Sequence, residues 1–212
     1  MTRDRLETFS DGVIAIAITL LILEIDIPTE HGGELWPALL DQWPSYMAYL
    51  TSFAVIGIIW VNHHGMLDLV ARVDKPLLYL NLFLLLTIAG IPFPTALVAE
   101  HLRSPLIDAN IAVAVYGGWA TLVALGFNFM WRWIVHDAKL LHAHLDLQAL
   151  RANTRRFSLG VLIYPITVGI AFIHPVWALA VHGFVAVYYV VDQFTRGGVL
   201  TPRLDESGTD PG

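Results

Sequence analysis

The sequence predicts an all-α integral membrane protein with six transmembrane helices and both chain ends in the cytoplasm. Of the 212 residues, 56% are hydrophobic and 14% are charged, and the mean hydropathy is +0.62. Soluble domains carry about 25% charged residues, so the surplus apolar surface must contact lipid. The chain has no cysteine, which excludes disulfides and cysteine metal ligands, and no basic run that would indicate nucleic-acid binding.

The first predicted span, about 9–27, has polar residues at both of its ends. A charge near hydrocarbon costs roughly 2.5–3.5 kcal/mol, so such residues usually face protein or water. The uninterrupted apolar run, 12–23, is also shorter than the ~20 residues that a lipid-surrounded helix needs. We therefore expect neighbouring helices to shield this span from lipid. The polar residues are Arg5, Ser10, Asp11, Glu24 and Asp26.

Five further spans follow, and breaks such as Asp74-Lys75-Pro76 and His174-Pro175 separate them. Residues 1–200 are expected to form one transmembrane domain. The polar tail, 201–212, is expected to be disordered. The further spans are predicted at about 46–68, 77–99, 108–131, 157–174 and 176–194.

The charges support this topology. With six spans, eleven of the 12 Lys and Arg residues lie on the side of the termini, and only Arg103 lies on the other. Cytoplasmic loops carry an excess of Lys and Arg, so the split predicts cytoplasmic N- and C-termini. The predicted location is the cytoplasmic membrane, with membrane lipid as a partner.

The topology brings polar residues of the first three spans to one membrane depth, near the cytoplasmic side. Buried charges and amides need partners, so we expect an interhelical network among them. A proton relay through His63 and His64 is an alternative interpretation of the same residues. The network residues are Arg5, Ser10, Asp11, Trp60, His63, His64 and Asn81.

One stripe of the first helix is apolar apart from a threonine. Spacings of three and four place its residues on one side of the helix. Ordinary helix packing produces such a stripe, and so does a hydrophobic constriction of an ion pathway. Glu24 and Asp26 lie beyond it, either as an outer carboxylate ring or as interfacial anchors. The stripe consists of Ile16, Thr19, Leu20, Leu23 and Ile27.

The string Arg5-x-x-x-Phe9-Ser10-Asp11 resembles the signature of the endolysosomal potassium channel family, transmembrane protein 175, and particularly its prokaryotic members. The second span is similar in Trp60-x-x-His63-His64. The third is similar in Asn81-Leu82 and Ile91-Pro92-Phe93. By motif, the resemblance covers about the first half of the chain.

The resemblance implies a potassium-preferring cation channel that is a homotetramer of six-span subunits, with the first helices lining a central pore. It places the selectivity constriction at Ile16, further hydrophobic rings at Leu20 and Leu23, and a threonine layer at Thr19. The polar residues above would form the family's structural network. The implied partners are other copies of the chain and monovalent cations, with permeant K+ and no cofactor.

Other chemistry finds little support in the sequence. Val115-Tyr116-Gly117-Gly118 has the wrong order and place for a carbonyl filter, so its glycines are expected to be close-packing positions. No enzyme motif is present, and the cytoplasmic His142 and His144 are expected to be a solvated loop rather than a metal site. A coupled transporter using Asp11, His63 and His64 is the main alternative, and a scaffold protein is another.

Overall fold

The computed structural model describes most of the chain as a bundle of helices. It describes residues 2–28, 35–143, 145, 147–152 and 154–195. The predicted disordered tail, 201–212, and His144 of the predicted cytoplasmic loop lie outside this part.

The elements are helical and follow the predicted spans closely. Each predicted span overlaps a helix, except that the third is divided between two helices, α4 and α5. The helices are α1 (Arg3–Leu20), continued by a 3₁₀ turn (Leu21–Glu24), α2 (Leu35–Asp41), α3 (Trp43–Leu67), α4 (Lys75–Ala89), α5 (Pro92–His101), α6 (Leu106–Ile134), α7 (Leu147–Ala152), α8 (Thr154–Ile173) and α9 (Pro175–Thr195).

Four helical stretches in the described part of the chain are long and apolar enough to cross a membrane. Two more apolar stretches, Ser158–Ile173 and Pro175–Tyr189, are shorter. The chain is therefore a multi-pass membrane protein, and the count of six spans stays a prediction. The four long stretches are Arg3–Glu24, Trp43–Leu67, Lys75–His101 and Leu106–Ile134.

Asp74 fixes the start of α4. Its side chain accepts a hydrogen bond from the backbone N–H of Leu77 at 2.9 Å, which pairs an amide that the helix leaves unpaired. Both of its carboxylate oxygens also accept from the indole N–H of Trp133, at 3.1 and 3.2 Å. The cap therefore ties the N-terminal end of α4 to α6.

The predicted third span bends between α4 and α5. Pro92 has no N–H, and the N–H of Ile91 bonds to Ile88 instead of the carbonyl of Thr87 one turn back. The indole N–H of Trp119 donates to that carbonyl at 2.7 Å, so the bend leaves no unpaired oxygen there. Gly90 makes room for the ring, because a Cβ on Gly90 would lie 2.2 Å from the Trp119 ring.

Helix α6 is central and packs against α4, α5, α8 and α9. Gly117 allows its close approach to α8, since a Cβ there would lie 2.9 Å from Thr167 Oγ1. The close-packing role is thus confirmed for Gly117. A Cβ added at Gly118 would meet no atom within 4 Å, so Gly118 does not share that role.

Replacing Gly90 with alanine should destabilise the protein by about 1–3 kcal/mol, because the added methyl group overlaps the Trp119 ring. The measurement is the free energy of unfolding by SDS titration in mixed micelles. Gly118→Ala is the matched control, because a methyl group added there enters open space. It should be neutral or stabilising by up to about 1 kcal/mol. Equal losses in both variants would contradict the role given to Gly90.

Candidate functional site: the first helix and its polar anchors

Helix α1 has a buried side that packs against α3 and α4. The buried positions recur every three or four residues, as one face of a helix requires. All but one of them are apolar, and the exception, Ser10, lies in the N-terminal half of the helix. The buried positions are Leu6, Ser10, Ile14, Ala17 and Leu21.

Ser10 begins a chain of hydrogen bonds across three helices. Its hydroxyl donates to the carbonyl of Leu6 at 2.8 Å and accepts from Asn81 Nδ2 at 3.0 Å. Asn81 Oδ1 must then be the acceptor in its 2.7 Å contact with His63 Nε2, so this ring nitrogen carries the hydrogen. Ser10, Asn81 and His63 are fully buried, and they join α1, α4 and α3.

Asp11 makes a separate contact. One of its carboxylate oxygens accepts from the indole N–H of Trp60 at 2.9 Å, which gives α1 a second link to α3. Asp11 is half-buried and Trp60 is 46% exposed. This link lies at the edge of the subunit rather than in its core.

His64 belongs to a third group, which sequence reasoning did not find. Its Nδ1 lies 2.8 Å from a carboxylate oxygen of Glu7, and its Nε2 lies 3.5 Å from Asp68. Arg3 contacts the same two carboxylates, at 3.3 Å from Glu7 and in a close ion pair with Asp68. Spacing was the available signal, since Arg3 and Glu7, and likewise His64 and Asp68, are four residues apart on a helix.

In this third group, ligand atoms of Glu7, His64 and Asp68 lie within 4.8 Å of one another, which is close enough to hold one metal ion. Such a set of two carboxylates and an imidazole can bind a divalent cation. Arg3 already supplies a positive charge to both carboxylates, so Glu7 and Asp68 are paired without a metal ion.

Arg5 is placed differently from the other predicted network residues. It is exposed, and within the described part of this single chain it has no hydrogen bond or ion pair. Arg3, two residues earlier, pairs instead with Glu7 and Asp68. Any network contact of Arg5 therefore lies outside the described part of this chain.

The opposite side of α1 is exposed in the single chain, and we call it the bare side. Ile16 is 61% exposed, Leu20 is 41% exposed and Leu23 is 71% exposed. Thr19 is exposed among them, and its hydroxyl bonds to the carbonyls of Ala15 and Ile16, both at 2.9 Å. Because the hydroxyl hydrogen is directed to the helix backbone, the oxygen lone pairs are free to face outward.

This bare side differs from a lipid-facing surface. Arg5, Thr8, Gly12 and Ala15 are exposed along α1. Small and polar residues at such positions permit close helix association in membranes, whereas lipid contact favours large apolar ones. The exposed side of α8 carries mostly large apolar residues instead. It presents Leu159, Leu162, Ile166 and Phe172.

The two acidic residues predicted at the outer end of α1 lie at the end of the 3₁₀ turn and just after it. Glu24 is its last residue and is half-buried, and Asp26 is exposed two residues later. Both α3 and α5 pack against this turn. The two carboxylates therefore lie just beyond the bare apolar side chains of α1.

Comparison with known proteins places the chain among related channels. The family model described as Endosomal/lysosomal potassium channel TMEM175 matches residues 5–92. A potassium channel of Streptomyces collinus is 50% identical over 190 residues, which are 89% of this chain and 92% of that protein. Another, of Chamaesiphon minutus, is 41% identical over 190 residues, 88% of this chain and 93% of that one.

A solved structure also resembles this fold. It is the crystal structure of a lysosomal potassium-selective channel TMEM175 homolog from Chamaesiphon minutus. The TM-score is 0.80 at 39% identity, over 89% of this chain and 96% of the other. The similarity thus extends over nearly the whole chain, including the helices that follow the motifs.

Replacing Asn81 with alanine should destabilise the protein by about 1–3 kcal/mol, because Ser10 and His63 lose a buried partner in an environment without water. Unfolding by SDS titration in mixed micelles measures this loss. Tyr79→Phe, at a 72% exposed position on the same helix, is the control and should change stability by less than about 0.5 kcal/mol. If Asn81→Ala were as stable as the control, the chain of hydrogen bonds would not anchor α1.

Proposed function

Because this chain belongs to the Endosomal/lysosomal potassium channel TMEM175 family, we propose that it is a passive, potassium-preferring cation channel of the cytoplasmic membrane. The family consists of ion channels and not of enzymes. Two relatives that cover nearly the whole chain are named potassium channels. The conduction pathway proposed here follows the bare side of α1.

The bare side of α1 is the observation that carries this proposal. A helix whose exposed side combines Arg5, Gly12 and Thr19 with Ile16 is poorly suited to lipid. Copies of α1 that surround a common axis would cover this side and leave a narrow passage between them. A homotetramer of six-span subunits, with both termini in the cytoplasm, is the arrangement that we propose.

The constriction of this passage is proposed at Ile16, with Thr19, Leu20 and Leu23 beyond it. A ring of branched apolar side chains offers an ion no replacement for its hydration shell. K+ would then pass more easily than Na+ because it loses its water at a lower cost. Thr19 would present hydroxyl oxygens to a partly hydrated cation, since its hydrogen is held by the helix backbone.

The outer mouth would carry Glu24 and Asp26. Several copies of these carboxylates around one axis would attract cations and repel anions before the constriction. At the cytoplasmic end, the Ser10–Asn81–His63 chain, the Asp11–Trp60 contact and the group around His64 would fix the position of α1.

A coupled transporter that uses Asp11, His63 and His64 is not favoured. In the described contacts these residues have different partners, namely Trp60, Asn81 and Glu7, and no hydrogen bond links one to another. The named relatives above are channels as well. In liposomes, a reversal potential that follows the K+ gradient alone distinguishes a channel from a coupled carrier.

Replacing Ile16 with asparagine should increase conductance and reduce the preference for K+ over Na+, because the amide offers ligands to a partly dehydrated ion. Single-channel and bi-ionic recordings in planar bilayers measure both quantities. Ile16→Val keeps a branched apolar side chain and should retain the preference. An unchanged K+/Na+ current ratio in Ile16→Asn would exclude Ile16 from the constriction.

A cysteine at Leu23 should react from the outside with a charged, membrane-impermeant methanethiosulfonate, and the reaction should block the current. The chain has no cysteine of its own, so the introduced thiol is the single target. Leu162→Cys is the control, since Leu162 is similarly exposed, at 65% against 71%, but lies on α8. Current loss in the control, or none in Leu23→Cys, would place the pathway elsewhere.

A further inference from the structure

A cavity of about 100 Å³ lies inside the subunit, between α3, α5, α6, α8 and α9. Every residue that lines it is buried or half-buried. Its walls are mainly apolar, with Ile59, Val123, Phe127 and Ala186 among them. Protein interiors pack densely and leave few voids larger than a water molecule, so a space of this size is unusual.

The shape of the cavity follows from the helices around it. The bend before Pro92 brings Ile91 to its wall, and Trp119, held by its bond to Thr87, forms another part. Ala120 and Ala186 contribute only methyl groups to the lining. None of the α1 residues lines the cavity, which is therefore separate from the proposed pore.

Tyr164 lines the cavity and carries a polar hydroxyl group, and its ring is held in place by neighbouring side chains. Its ring stacks on His182, with the ring centres 5.3 Å apart and an angle of 12°. His182 is itself held by a 3.0 Å hydrogen bond with Thr167 and by the edge of Tyr116 at 5.1 Å. These contacts fix the direction of the Tyr164 ring.

Three tyrosines line the cavity, and two of them, Tyr116 and Tyr164, differ in whether their hydroxyl has a hydrogen-bond partner. Tyr116 already bonds to Ser52 at 3.1 Å. Tyr164 has no hydrogen bond with any residue that the structure describes. A hydroxyl at the wall of an apolar space can donate to or accept from a polar group of a molecule bound there.

We propose that this cavity binds a small, mostly apolar molecule that carries one hydroxyl group, of the chemical class of simple phenols, and that Tyr164 hydrogen-bonds to that hydroxyl. Apolar cavities of about 150 Å³ bind single aromatic rings such as benzene, which is the same order of size. Phenols concentrate in bilayers, so such a ligand reaches the helices from the surrounding lipid.

The test uses 4-bromophenol and the wild-type protein in phosphatidylcholine nanodiscs. Bromine quenches tryptophan fluorescence at short range, and Trp119 lines the cavity. We expect a saturable quenching component above the linear one that partitioning into lipid produces. Linear quenching alone would mean partition into lipid only and would overturn the proposal.

A cavity-filling variant locates the bound probe. Ala186→Leu occupies the space and should remove the saturable component. Ala180→Leu, an exposed position on the same helix, should retain it. Thermal unfolding of both variants first establishes that they fold. Saturable quenching of equal affinity in Ala186→Leu and Ala180→Leu would overturn the proposal, because the probe would then bind elsewhere.

A second pair of probes tests the hydroxyl contact. Tyr164→Phe should weaken 4-bromophenol binding by about two- to tenfold, the range of one hydrogen bond. Binding of 4-bromotoluene, which lacks the hydroxyl, should be equal in Tyr164→Phe and wild type. An equal loss for both probes, or none for either, would overturn the role of Tyr164. The assay measures no ion flux, so its failure is distinguishable from failure of the proposed channel function.

Discussion

The amide of Asn81 is the contact on which the placement of α1 depends. Hydrocarbon offers no water to a polar group, so Ser10 and His63 must find partners inside the bundle. They do so only when α1, α3 and α4 lie at one depth and in one rotation about their axes. A turn of α1 by one residue, about 100°, would break the bond from Asn81 to Ser10. The buried hydrogen bonds therefore determine that Ile16 and Leu23 lie on the bare side.

Different contacts support the C-terminal end of α1. Trp119 pairs with the carbonyl that the bend exposes, and Gly90 leaves space for its ring. Beyond the bend, α5 packs against the 3₁₀ turn that ends α1, and α3 does so too. Apolar packing supports α1 at this end, whereas hydrogen bonds and ion pairs hold its N-terminal half. The middle of α1 keeps its bare side exposed in the single chain.

The sequence predicted the family and part of the polar network around α1, but it missed some of the contacts in that network. The family resemblance of the Arg5-x-x-x-Phe9-Ser10-Asp11 string is confirmed. Sequence reasoning placed Ser10, Asn81 and His63 together because topology brings them to one depth. It did not find Arg3, Glu7 and Asp68, since charged residues at a helix end are usually solvated. It expected network contacts of Arg5, which the single chain does not make.

The sequence by itself determined the membrane class of the protein and the helix positions, because hydropathy and proline breaks are properties of short segments. It also determined the family, through residues whose spacing is visible along the chain. Only the tertiary structure decided which polar residues pair, because a helix of given composition can rotate, and rotation changes its neighbours without changing its sequence. The bend at Gly90 and the cavity beside Tyr164 likewise depend on residues distant in sequence that pack side by side.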